Sequence, residues 1–319
     1  TITGFTDGGW SWYVVAKDGA SRGGNTSESG RVSFTVGEGS SSGGGSSGDG
    51  GTADSDVVTN AEWSEGGAVQ TAAGRIYFEM PRNARQTGPW NAYVCSGTVV
   101  EDAPDEDSLV LTAAHCVYDD VNKAFARNVL FIPNQAGTTG SRTDTNCDND
   151  PLGCWSPEYG VVDDDWTIRT FPDNIPWDYG YYVVPASAHS GRGNDVALES
   201  AVTPLTIDFN MPAMDEQATA LGYSYSDDPD FMYCQEGLAT EDAFGDLWLG
   251  SCGLSGGASG GPWLQPLDGG SGSIISVNSW GYANGDPGMG GPWLHETSAE
   301  CLYKEAAGET AERGLVRTC

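Results

Sequence analysis

Short apolar runs separated by Gly, Ser, Asn and Asp set the rhythm of this chain. Ala73-Gly-Arg-Ile-Tyr-Phe-Glu-Met80, Ala92–Val100 and Ser108–Thr112 read as strands, as do Val129–Ile132, Tyr181–Val184, Ala218–Leu221 and Ser273–Val277. Only Thr297 to Ala307 has a helical spacing, with Thr297 or Ser298 available as its N-cap. The pattern predicts an all-β chain with a C-terminal helix. Ahead of it, residues 1–37 read as two further strands, Trp10–Ala16 and Arg31–Val36, joined by a Gly/Asn/Ser turn. Residues 38–54 are mostly Gly, Ser and Asp, the composition of a flexible linker. The expected division is a β-hairpin module at 1–37, a linker at 38–54 and one large domain at 55–319.

Composition narrows the function classes. The 319 residues include 45 acidic against 14 basic, a formal net charge of −31. That surface repels nucleic acid and anionic membranes, so neither is an expected partner. Low Lys with high Asp fits a coat tuned to a salty medium. Eight cysteines, an even count without a CxxC pair, point to disulfides in an oxidising, extracellular setting rather than to a metal centre. The chain has no run of eighteen apolar residues that would suggest a membrane span. It begins with Thr1 rather than Met, as a processed or truncated form does.

Two strings carry the chemistry. Leu111-Thr-Ala-Ala-His115-Cys116 ends an apolar strand in a small-residue turn that presents a histidine beside a cysteine. Ser255-Gly-Gly-Ala-Ser259-Gly-Gly-Pro-Trp263 flanks a serine with glycines, which lets the backbone fold tightly and expose the hydroxyl. Together these strings resemble the His and Ser motifs of trypsin/chymotrypsin-like serine peptidases. The resemblance covers roughly residues 70 to 305 and lies nearer the bacterial glutamyl-endopeptidase-like branch. It implies a chymotrypsin-like double antiparallel β-barrel, six strands in each barrel, with the catalytic residues in the cleft between them. The hairpin at 1–37 resembles the last two strands of a fibronectin-III or immunoglobulin-like sandwich.

By the resemblance His115 is the general base and Ser259 the nucleophile, with the N–H groups of Gly257 and Ser259 as oxyanion hole. The third member has two candidates. Asn194-Asp195-Val-Ala-Leu198 looks like the Asp-aliphatic-Ala-Leu string of many trypsins. Asp178, in Trp177-Asp-Tyr-Gly-Tyr-Tyr-Val-Val184, opens an apolar strand and leaves a long connection before Gly222-Tyr223. The family template separates His from Asp by about 45 residues and Asp from Ser by about 93. Asp178 lies 63 residues from His115 (178 minus 115) and 81 from Ser259 (259 minus 178), nearer that template than Asp195 at 80 and 64. Asp178 is the expected choice.

The resemblance further places Asn278 and Ser279-Trp280-Gly281 at the substrate, the latter pairing with its backbone as an added strand. It pairs Cys95 with Cys116; local pairing is expected for Cys147–Cys154, Cys234–Cys252 and Cys301–Cys319. Departures matter too. Ala258 replaces the Asp that trypsins pair with a new N-terminal amine. Gly253 stands near where trypsins hold a carboxylate for Arg or Lys, and Asn278 where glutamate-specific relatives hold a His. An uncharged residue before the scissile bond is therefore expected. No cofactor is implied; the Asp144–Asp150 stretch has the composition for a structural Ca²⁺ but lacks the EF-hand spacing, and reads first as a solvated loop. The expected function is a secreted, monomeric serine endopeptidase acting on proteins or peptides. The alternative is a catalytically inactive homologue that only binds protein.

Overall fold

A computed structural model describes residues 57–102, 107–141, 144–241, 243–282, 287–308 and 315–319, with the backbone of four short strands before them. Those four pair as Gly9–Trp10 with Phe34–Thr35 and Val15–Lys17 with Thr26–Glu28. The sandwich-module reading of 1–37 and the linker reading of 38–54 lie outside the described residues.

The main chain then runs β1 (Val58–Glu62), α1 (Gly67–Ala72), β2 (Ala73–Pro81), β3 (Trp90–Val100) and β4 (Asp107–Thr112). Next come β5 (Arg127–Pro133), β6 (Cys154–Trp155), β7 (Tyr159–Asp163), β8 (Gly180–Pro185) and β9 (His189–Ser190). With β10 (Leu315–Arg317), they form a nine-stranded sheet in the order β9-β6-β5-β2-β3-β4-β8-β7-β10. Strands β2 to β4 and β8 carry the apolar runs, and Ile76, Val99, Val110, Leu111 and Tyr181 are fully buried on them.

A second sheet of five strands uses β11 (Gln217–Gly222), β12 (Met232–Gly237), β13 (Pro262–Asp268) and β14 (Ser271–Val277), in the order β14-β13-β11-β12-β1. Trp263 is its fully buried centre. A three-stranded sheet joins Ala239–Thr240, Leu247–Leu249 and Met289–Gly291. The connection between the two larger sheets lies against both, bridging Val100 to Leu205 and Ile207 to Ile274. The C-terminal helix α2 spans Ala299–Gly308, and the Thr297 hydroxyl accepts from the Ala299 N–H at 3.3 Å.

The all-β class expected from the pattern is present, with the expected helix near the C-terminus. Among the described residues from Val57 on, the pairings form ladders of nine, five, three and two strands, the last joining Tyr118–Asp119 to Ala124–Phe125. Disulfides join Cys95 to Cys116, Cys147 to Cys154, Cys234 to Cys252 and Cys301 to Cys319. No described helix is long and apolar enough to cross a membrane.

Candidate active site

Register brings the first two groups together. Gly180, the first residue of β8, pairs with Thr112, the last of β4. The residues just beyond β4 and just before β8 therefore meet at one end of the sheet. Beyond β4, buried Ala113 and Ala114 let a 3₁₀ turn over Ala114–Cys116 lie against the core and turn His115 outward. Before β8, the turn Ile175–Trp177, with Pro176 near its start, delivers Asp178.

Asp178 Oδ2 lies 2.7 Å from His115 Nδ1, and Asp178 Oδ1 accepts the His115 backbone N–H at 2.9 Å. The Ser279 hydroxyl donates to Asp178 Oδ2 at 2.5 Å. A carboxylate that accepts here pairs with the Nδ1–H tautomer, the one whose Nε2 is an acceptor. The carboxylate is enclosed at 4% exposure, while the imidazole keeps 12% and so remains reachable. Asp195, the rival, is exposed in the segment leading to the short helix Leu198–Ala201, and the chain beside it faces Trp155 through the Val196 carbonyl at 3.2 Å.

The Ser259 turn is seated on the first sheet. Ser96 in β3 donates its N–H to the Ser259 carbonyl at 2.7 Å, and Cys116 Sγ lies 3.9 Å from the same oxygen, placing Ser259 beside the His115 turn. The Ser96 hydroxyl donates to the Gly257 carbonyl and accepts the Tyr223 N–H, each at 2.9 Å. Gly257 and Gly260 have φ of +101° and +79°, a region that side chains disfavour, and a β-carbon at Gly260 would collide with Thr112 Oγ1 and the Ser96 carbonyl. The N–H groups of Ala258, Gly260 and Gly261 donate to Ser255, Asn278 and Ala258 carbonyls. Among the described residues those of Gly257 and Ser259 make no backbone hydrogen bond. The N–H groups on either side of Ala258 are thus left over at the serine.

Ser279 and Trp280 are tied to Gly290, with Gly290 N–H donating to the Trp280 carbonyl at 2.8 Å. The Ser279 carbonyl and both backbone groups of Gly281 make no backbone bond among the described residues. Trp280 stacks on Trp248, ring centroids 5.2 Å apart, and its indole N–H donates to Asp246 Oδ2 at 2.9 Å. Burial pushes the Asp246 carboxyl up to about 7; the Trp280 hydrogen bond opposes the shift, and the charges of Asp178 and Glu241 add to it.

Asn278 requires a correction. It is fully buried, its Nδ2 donates to the Leu221 and Ala258 carbonyls at 2.7 and 2.9 Å, and its Oδ1 accepts the Trp263 indole N–H at 2.8 Å. A buried amide must be satisfied internally, and here that ties the Ser259 turn to the second sheet, leaving the Asn278 side chain no exposed polar face. Gly253 is exposed and donates its N–H to the Thr59 carbonyl at 2.6 Å. In the Asp144–Asp150 stretch, Asp144 Oδ1 accepts the Asn146 N–H at 2.8 Å and its Oδ2 accepts from Asn149.

No protein-family model matches the sequence, and no curated protein does. Solved structures do. Protease Anisep from Arthrobacter nicotinovorans superposes with a TM-score of 0.61 at 24% identity, covering 79% of this chain and 100% of that one. The thermostable serine protease AL20 from an extremophilic microorganism gives 0.60 at 24%, covering 76% and 100%. A Glu endopeptidase gives 0.56 at 16%, covering 79% and 97%. The fold is that of the trypsin/chymotrypsin-like serine peptidases.

Proposed function

We propose that the chain is a secreted serine endopeptidase that cleaves peptide bonds through an acyl-enzyme. The observation that carries this reading is the His115–Asp178 pair beside a serine turn with two uncommitted N–H groups. A serine hydroxyl is a weak nucleophile at neutral pH, so the His115 Nε2 lone pair takes its proton as Ser259 Oγ attacks the peptide carbonyl. Gly257 and Ser259 N–H groups receive the oxyanion; one such donor is worth about 3 kcal/mol of barrier. Collapse breaks the C–N bond, the amine leaves with the proton from His115, and water repeats the sequence to release the acid. Asp178 holds the ring and stabilises the imidazolium. Four disulfides support an extracellular working place.

The deciding experiment is intact mass after treatment with a fluorophosphonate, beside Ser259→Ala. A single adduct on the native chain alone is expected. No adduct before or after limited proteolysis would leave a protein-binding homologue in its place.

A further inference from the structure

A buried cation sits behind the nucleophile turn, and the mechanism above does not use it. Arg75 in β2 is fully buried. Its Nε donates to Gln135 Oε1 at 2.9 Å, its Nη1 to the Tyr223 carbonyl at 2.7 Å, and its guanidinium lies 5.5 Å from the Tyr223 ring centroid. Asp228 Oδ1 stands 3.1 Å from Nη2, a charge contact without hydrogen-bond alignment, with side-chain exposures of 0% and 1%. A guanidinium stays charged in proteins, so the interior holds a permanent cation. Well-packed apolar residues often replace such a pair without loss of stability, so stability alone is a poor account of it.

Its placement offers a better one. Arg75 belongs to the first sheet, whereas Tyr223–Asp228 follows β11 of the second. That segment grips the serine turn. Tyr225 N–H donates to the Gly256 carbonyl at 2.8 Å, and Ser255 N–H donates to Ser224 Oγ at 3.0 Å. The Ser226 and Ser255 hydroxyls are 2.9 Å apart. A β-carbon on Gly257 would stand 2.8 Å from the Tyr223 carbonyl and 3.1 Å from Arg75 Nη1. The guanidinium therefore packs directly against the residue that offers one of the two free donors.

We infer that Arg75 is a positioning residue: its guanidinium, neutralised by Asp228, holds the Tyr223–Asp228 segment and through it the Gly257–Ser259 turn in the donor-outward form. The inference rests on the serine-peptidase reading of that turn. Ala258 has no carboxylate to anchor the turn through an amine; Arg75 and Asp228 supply an anchoring charge pair from the chain's own interior.

Two variants test it, Arg75→Lys and the double apolar replacement Arg75→Met/Asp228→Leu. The Lys variant keeps the charge but loses the fork that spans Tyr223 and Gln135; the double variant removes both charges and leaves neither buried alone. Thermal unfolding, fluorophosphonate labelling, kcat and KM, and amide exchange of peptides covering 253–261 are measured on each. Folded variants are expected to lose about 30-fold or more in kcat and labelling rate with KM within about threefold, as for a misplaced oxyanion donor. Exchange at 253–261 is expected to rise about tenfold while 107–116 stays unchanged. Folded variants with wild-type labelling and exchange overturn the inference, and so does a loss of kcat that only tracks the unfolded fraction. A wild-type chain that takes no label overturns the peptidase reading instead, and the exchange measurement then decides the role of Arg75 by itself.

Discussion

Asp178 contacts the His115 ring, the His115 backbone and the Ser279 hydroxyl, which fixes both the imidazole and the Ser279–Gly281 segment to one carboxylate. Asp178→Asn turns an acceptor into a mixed group and favours the wrong tautomer, so kcat is expected to fall by about 10⁴-fold. Asp195→Asn, at an exposed position, should stay within about twofold, the behaviour of a surface change. Steady-state kinetics of the two variants check both. The same residues show what a sequence reveals at this scale. His115 and Ser259 are legible because contiguous strings specify their turns. Asp178 is legible through spacing and through the apolar strand it opens. Arg75, Ser96 and Asn278 are not, because each matters through partners 148, 161 and 57 residues away. The one clue to Arg75 is a lone cation inside an apolar strand, in a chain with few cations.

Among elements, the seven strands predicted from Ala73 onward are present with ends displaced by one or two residues, since turns and bridges extend β2 to Pro81 and β3 back to Trp90. Strands β7, β12 and β13 lack a clean alternation and were not expected; β7 is buried at all five positions, and β13 pairs with β14 through register shifts. The aromatic link between Leu247–Leu249 and Ser279–Gly281 is also invisible in the pattern, yet it carries a pH dependence. The Asp246 carboxyl, raised by burial to about 7, holds its proton in the folded state between roughly pH 4 and that value. The folded state then binds more protons than the unfolded chain, so its stability falls as pH rises through that window and levels off above it. Asp246→Asn keeps an acceptor for Trp280 and removes the titration. Relative to the wild type it should gain stability, on the order of a few kcal/mol, between pH 4 and 8. Denaturant unfolding of both proteins at those two pH values measures it; equal gaps at both would refute the assignment.

For the whole molecule, the net charge of −31 means that folding gathers like charges. The screening length falls from about 10 Å at 0.1 M salt to about 3 Å at 1 M. The unfolding temperature is therefore expected to rise by about 5 °C or more over that range of NaCl, beyond what an equal osmolarity of sucrose produces. The same field draws in cationic peptides, so their kcat/KM should drop with salt while that of neutral peptides holds; salt-independent rates for both would rule out steering.

The seat of Ser259 on Ser96, and of Gly260 over Thr112, has a consequence for how the protein comes into being. His115 and Asp178 belong to the half of the domain that leaves the ribosome first, and Ser259 to the half that follows. Neither half by itself contains a working set. On the serine-peptidase reading, hydrolytic power requires the later half to settle onto the earlier one. On that reading a nascent or half-folded chain is harmless to its neighbours and to itself, and timing becomes a safeguard written into the order of the polypeptide.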